Sequence, residues 1–149
     1  MGGIYFAEWR KDVKTSRRIA YAFRGEIQAL QAIVTTRDYV GLIENTIKTM
    51  ELSRQLQFVN IQVRREYFHV FKNNINNIGS LKNPLPELIS RYYIQVSAIP
   101  EDLESYRDGT WKSANVGLLI DSAKELAKLI AETSSLGKEI VTEIGIHYP

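Results

Sequence analysis

Apolar side chains recur at both ends of this chain at alternating spacings of three and four. Near the start the run is Trp9, Val13, Ser16, Ala20, Phe23, Ile27, Leu30 and Val34. Near the end it is Val116, Ile120, Ala123, Ala127, Ile130, Ser134, Gly137, Val141 and Ile144. Such alternation marks a helix that buries one seam against another helix. Both runs exceed three heptads, too long for a chance match. They predict one helix from about Tyr5 to Thr35 and another continuing to about Ile144. The first seam is bulky at Trp9, Phe23, Ile27 and Leu30, whereas Ala123, Ala127, Ser134 and Gly137 interrupt the second. Small residues admit the side chains of a facing helix. The two helices are therefore expected to face each other, within one chain or across a dimer.

Shorter elements lie between them. Thr36 or Asp38 can cap a second helix, whose Leu42, Ile43, Ile47 and Met50 recur at helical spacing before it fades near Ser53-Arg54-Gln55. Residues 56–63 place apolar side chains at Leu56, Phe58, Ile61 and Val63 and predict an extended connector laid over the bundle. A short helix from about Arg65 to Asn77 presents Tyr67, Phe68, Phe71, Ile75 and Ile78, with Gly79 as a left-handed stop. Asn83 is placed to cap a fourth helix whose first turn holds Pro84 and Pro86, where a missing N–H costs nothing. That helix carries Leu85, Leu88, Ile89, Tyr92, Tyr93, Val96 and Ile99. Pro100 is expected to kink or divide it, and Glu101-Asp102-Leu103-Glu104 to restart it with acids at the favourable end. Asp108-Gly109 then closes it, and Thr110 or Ser113 caps the last helix. The fold expected is all-α: one domain spanning 1–149, a helical bundle with a long antiparallel N-/C-terminal pair and shorter helices packed across it.

Composition narrows the function classes. A chain of 149 residues suits one domain with a sizeable core. The absence of cysteine removes disulfides, zinc-thiolate sites and thiol catalysis. The net charge of +2 is too small to imply a polyanionic partner for the whole molecule. Its distribution is uneven, because residues 1–24 carry Arg10, Lys11, Lys14, Arg17, Arg18 and Arg24 against Glu8 and Asp12. Arg10, Lys14, Arg17, Tyr21 and Arg24 form a stripe beside the apolar seam. Arg10, Lys14, Arg17 and Arg24 are the candidate contacts to anionic lipid headgroups, worth about 1 kcal/mol for each basic residue near the surface. Nucleic-acid phosphates are a disfavoured alternative, and a solvated helix edge is the plainest one.

No segment approaches the ~18 uninterrupted apolar residues of a membrane span, and the opening Met1–Trp9 is too short for a span or signal peptide. Yet Tyr5, Phe6 and Trp9 followed at once by Arg10 and Lys11 is how a span leaves the interface on the cytoplasmic side. The chain is accordingly expected to be cytoplasmic, either tethered to the membrane face as the soluble part of a longer anchored protein or beginning with an ordinary amphipathic helix.

Chemistry-bearing motifs are scarce. There is no dinucleotide or phosphate loop, no His-Glu-x-x-His and no nucleophile elbow. His69, between Phe68 and Val70, and His147 are too far apart in sequence to suggest a site without added carboxylates. Asp121 with Glu125, and Glu101, Asp102 and Glu104, could serve acid–base work or a divalent ion. The pair of Glu-x-x-His motifs that a di-iron bundle needs is missing, and solvated helix faces explain both groups. No catalytic residue, cofactor or metal site is expected, and no enzyme. Arg91-Tyr92-Tyr93 stands in mid-helix beside the Asn-rich 73–77 stretch, and an arginine among aromatics can stack or pair. Tyr67, Phe71, Arg91 and Tyr92 are the candidate partner or ligand groove, with helix-to-helix bracing as the alternative.

One stretch resembles something known. Tyr67-Phe68-His69-Val70-Phe71-Lys72-Asn73-Asn74-Ile75-Asn76-Asn77-Ile78-Gly79-Ser80-Leu81 is followed by Pro84-Leu85-Pro86-Glu87-Leu88, Arg91-Tyr92-Tyr93, Val96 and Glu101-Asp102-Leu103. This is similar to a loose group of uncharacterised bacterial membrane-anchored helical proteins. They join one N-terminal transmembrane helix to a basic coiled segment and a "vF..N...iG.L...L...i..fY" stretch. This chain departs from them in lacking the span. The resemblance implies a membrane-tethered helical domain facing the cytoplasm, with no enzyme activity. The function expected is a non-enzymatic interaction domain, membrane-apposed and self-associating as a homo-oligomer, with a protein partner of unknown identity. The alternative is a sensory bundle that binds a small ligand.

Overall fold

The computed structural model describes residues 2–59, 61, 67–107 and 115–149, the side chains of residues 2 and 105–107 excepted. Its helices are α1 (Gly2–Thr36), α2 (Tyr39–Ser53), α3 (His69–Asn74), α4 (Leu85–Arg107) and α5 (Val116–His147), and a 3-10 segment, Ile75–Ser80, follows α3. No strand occurs among the described residues. At 1.5 Å rise per residue, α5 is about 48 Å long and serves as the spine of the bundle.

Local chemistry sets where these helices begin and end. Asp38 takes a left-handed conformation (φ 48°), one that Asp tolerates better than most residues. There its carboxylate accepts a hydrogen bond from the Gly41 N–H at 3.2 Å and caps α2. Gly41 leaves room for that carboxylate, which a Cβ would strike. Arg54 (φ 56°) closes α2, its N–H donating to Met50 O. Asn115 caps α5 by accepting from the Leu118 N–H at 2.8 Å.

Hydrogen bonds fix the direction of packing. Ser16 meets Tyr148, and Gln31 Nε2 donates to Ser134 O at 2.8 Å, so α1 runs antiparallel to α5. Beyond the Arg37–Asp38 turn, α2 continues along α5, and Glu51 lies 3.5 Å from Lys124. On the other flank α4 also runs antiparallel to α5. Tyr92 sits against Gly137, where a Cβ would lie 3.0 Å from the ring, and Gln95 Oε1 accepts from Thr133 Oγ1 at 3.1 Å. α3 packs against α1.

Burial divides into two cores. One joins Phe23 and Ile27 to Phe68, Leu85, Ile89, Tyr93, Ile140, Ile144 and Tyr148. The other joins Ile43 and Met50 to Val59, Ile61, Ile99, Leu103, Leu119, Leu126 and Ile130. Each large side chain fully buried contributes roughly 1.5–3 kcal/mol.

The all-α bundle with its long terminal pair is the fold observed, and the pair forms within one chain. Several details differ from the sequence reading. The buried face of α5 is wider than one seam: Leu119, Leu126, Thr133, Leu136 and Ile140 are buried, while Val116, Ala127, Ser134 and Val141 are half-buried. Partners on both flanks of α5 account for this. The connector buries Val59 and Ile61 and exposes Phe58, an offset from the expected alternation; Val63 lies outside the described residues. The start expected at Arg65 lies outside the described residues; α3 as described, His69–Asn74, tightens into the 3-10 segment, which leaves Ile75 exposed. Gly79 sits inside that segment without a left-handed conformation, so it is not a stop. Pro100 is buried in an undivided α4. Asp108-Gly109, Thr110 and Ser113 lie outside the described residues, and the cap of α5 is Asn115.

Candidate functional site

Cover on α1 begins at Ser16, opposite the end of α5. Of residues 3–15 every one is exposed except half-buried Val13. This arm extends about 20 Å along the helix axis. At 100° per residue, Tyr5, Phe6, Trp9 and Val13 continue the buried face of α1 past the point where its partners stop. Trp9 is 59% exposed and Tyr5 76%. The Phe6 and Trp9 rings stack at 5.8 Å, and the Arg10 guanidinium lies 4.7 Å over Phe6.

Next to this aromatic face runs the basic one. Arg10, Lys14 and Arg17 line its edge, Lys11 and Arg18 lie beyond on the side opposite the rings, and Asp12 and Glu8 border the aromatic face on its other edge. Among the described residues, Lys11, Lys14 and Arg18 have no ion pair with a carboxylate. Arg17 donates to Pro149 O at 3.2 Å. Of the four basic candidates, Arg10, Lys14 and Arg17 thus share the projecting arm. Arg24 belongs to the bundle, half-buried with its guanidinium 4.3 Å over Tyr21.

A polar clamp anchors the base of the arm. The Lys82 N–H donates to the Tyr148 hydroxyl at 3.0 Å, Tyr148 and Ser16 hydroxyls lie 2.5 Å apart, and Ser16 Oγ donates to Ser80 O at 3.4 Å. One proton direction satisfies the whole chain: Lys82 N–H to Tyr148 to Ser16 to Ser80 C=O. Tyr21 adds a bond to Tyr148 O at 2.9 Å, and Lys82 Nζ one to His147 O at 3.0 Å. Ser16, the polar member of the first seam, is buried for this reason.

Glu26 forms a second clamp about three turns past Ser16 along α1. Its carboxylate accepts from Val70 N at 2.7 Å, Phe71 N at 3.3 Å and the Tyr93 hydroxyl at 2.5 Å. It thereby caps α3 from another helix and ties α1 to α4. Burial, and then the bond to Glu26, push the Tyr93 phenol far above its ordinary range. Sequence reasoning missed Glu26 and Tyr148. The only signal was their position: Glu26 stands beside seam residues Phe23 and Ile27, and Tyr148 one turn past Ile144.

Tyr67, Phe71, Arg91 and Tyr92 do not converge on one groove. Phe71 stacks on Tyr93 at 4.2 Å and 11°. Tyr92, perpendicular to Tyr93 at 5.2 Å, lines a small cavity that Tyr67 also borders. Arg91 is exposed. Among the carboxylates, burial and then the charges of Glu101 and Glu125 raise the Asp102 carboxyl above its ordinary value. His69 is exposed, and His147 Nε2 lies 3.2 Å from Glu143. Among the described residues no cluster of His, Asp and Glu is arranged to hold a metal ion. No described helix is long and apolar enough to cross a membrane. Comparison with protein-family models, with curated proteins and with solved structures finds no match to this chain.

Proposed function

We propose that this protein acts by association rather than catalysis, and that the α1 arm docks the bundle on an anionic membrane surface. One observation carries the reading: residues 3–15 project from the bundle with an exposed aromatic face directly beside a basic face that has no ion pair among the described residues. Aromatic rings favour the headgroup level of a bilayer, and adjacent Lys and Arg are drawn to anionic headgroups. Because α1 is continuous, the angle of the arm on the surface sets the angle of the bundle. Intramolecular pairing of the two long seams leaves the arm as the apolar face open to a second copy, so self-association on the membrane would use the same residues.

Co-sedimentation with vesicles tests this. Binding to phosphatidylserine-containing vesicles is expected to exceed binding to phosphatidylcholine alone and to fall at high salt. With about 1 kcal/mol for each basic residue near the surface, Arg10→Gln, Lys14→Gln and Arg17→Gln together should weaken partition by about two orders of magnitude. Arg24→Gln, held against Tyr21 on the bundle, should change it less than about twofold, since its side chain does not reach the headgroups. Equal binding to neutral and anionic vesicles, or none to either, would remove the lipid role.

A further inference from the structure

We propose that the outward face of α4 binds a second copy of this chain, the two α4 helices crossing antiparallel about a two-fold axis near residue 96. This face is separate from the α1 arm, so the inference does not depend on the membrane reading. Ile94 stands at its centre, 70% exposed. Beside it, Ile94, Ser97, Ala98 and Glu101 border a concavity walled by Phe71 and Tyr93. Spaced i, i+3, i+4 and i+7, these four are the corners of a hole into which a facing helix sets one side chain. Ser97 and Ala98, small and half-buried, leave room in it for an isoleucine.

The face is complementary to itself. Ile94 lies two residues before position 96 and Ala98 two after it, so a two-fold axis there sets each Ile94 over Ala98 of the second copy. Charge follows the same symmetry. Arg91 and Glu101 lie five residues to either side of the axis, so each Arg91 meets Glu101 of the second copy. Arg91 is exposed and has no ion pair among the described residues. At the acidic end, burial and then the charges of Glu101 and Glu125 raise the Asp102 carboxyl, and an arriving guanidinium offsets that crowded negative charge. Parallel pairing would instead set Arg91 on Arg91 and Glu101 on Glu101, and like charges repel. A single helix crossing lies at the small end of specific interfaces, below about 1,200 Å², so the pairing is reversible and the dilute chain is monomeric.

Sedimentation equilibrium of the intact chain at low salt tests this. Between about 5 μM and about 500 μM the chain should pass reversibly from monomer to dimer, as a small interface dictates. Arg91→Glu and Glu101→Arg each turn both cross-pairs into like charges and should weaken dimerisation about tenfold. Mixed one to one, the two variants restore opposite charges at both pairs, and the mixture should dimerise about as tightly as wild type. Ile94→Arg should abolish association, whereas Phe6→Ser with Trp9→Ser, on the arm, should leave it unchanged. All five side chains are exposed, so helical circular dichroism should stay the same. A wild-type chain that stays monomeric throughout this range would overturn the proposal. So would a dimer that survives Ile94→Arg or is lost in the arm variant, or a mixture that associates no better than its two folded components alone.

Discussion

Replacing Glu26 with glutamine exchanges one acceptor oxygen for an NH2 group at the junction of α1, α3 and α4. In the wild type two carboxylate oxygens serve three donors, Val70 N–H, Phe71 N–H and Tyr93 O–H. Glutamine keeps one acceptor. If that oxygen faces Tyr93 and Phe71, the NH2 meets the Val70 N–H; if it faces Val70, the NH2 meets the other two. Tyr93 can rotate its proton away and accept, but a backbone amide cannot. At least one amide donor is therefore left facing a donor, at about 1–3 kcal/mol, and the charge assistance to the others is lost. The site is half-buried, so water recovers part of the loss, and a net cost of about 2 kcal/mol is expected. For a chain of this size that corresponds to a Tm lower by roughly 4–8 °C. Urea unfolding of Glu26→Gln, Tyr93→Phe and the double variant closes a thermodynamic cycle, with a coupling energy of about 1 kcal/mol expected. Hydrogen exchange at the Val70 and Phe71 amides should accelerate in Glu26→Gln. A destabilisation below about 0.5 kcal/mol, within the range of an ordinary surface change, would refute the assignment of Glu26 as a structural clamp.

Other outcomes follow from single sites. Gly137→Ala places a Cβ 3.0 Å from Tyr92 and against the Gln31 amide; overpacking of about 1–3 kcal/mol should outweigh the gain in helix propensity, and a rise in Tm would contradict the close approach of α5 to its neighbours. Arg54→Gly relieves a left-handed backbone at φ 56°, so urea unfolding should show a gain of about 0.5 kcal/mol after the greater entropy of the unfolded glycine is counted. For Asp102, whose carboxyl is raised in the folded state by burial, Glu101 and Glu125, the ionised form opposes folding. Stability should therefore fall as pH rises through its folded pKa, and Asp102→Asn should unfold at higher temperature than wild type near pH 7. That difference should vanish below the ordinary aspartate range, where both chains are neutral at this position.

The long helices were legible because each seam repeats over many turns, so errors at single positions cancel. Asp38 and the end of α2 near Arg54 were legible for a local reason, since capping depends on residues three or four apart. The width of the α5 face was not, because Leu119, Leu126, Leu136 and Ile140 are buried by helices arriving from two sides. Periodicity gives one seam and does not say how many neighbours share a helix. Trp9 fits the seam by spacing yet stays exposed, because its fate depends on where α5 ends rather than on its own neighbours in sequence. Ile75 and Gly79 were misplaced when α3 tightened to 3-10 geometry, whose period of three rotates side chains away from an α-helical register. Basic residues Arg10, Lys14 and Arg17 were placed on one face by their spacing. The separation of Arg24 from them depends on a ring, Tyr21, that the bundle holds in place. Glu26 was hidden because its donors lie 44 and more residues away in sequence.

The most direct test of membrane docking reads Trp9 itself. In a Trp111→Phe chain, Trp9 is the remaining tryptophan and stands 59% exposed on the arm. Addition of phosphatidylserine-containing vesicles should shift its emission to the blue and protect it from aqueous quenchers, and high salt should reverse both changes. Emission and quenching that stay unchanged at saturating vesicle concentration would contradict the account.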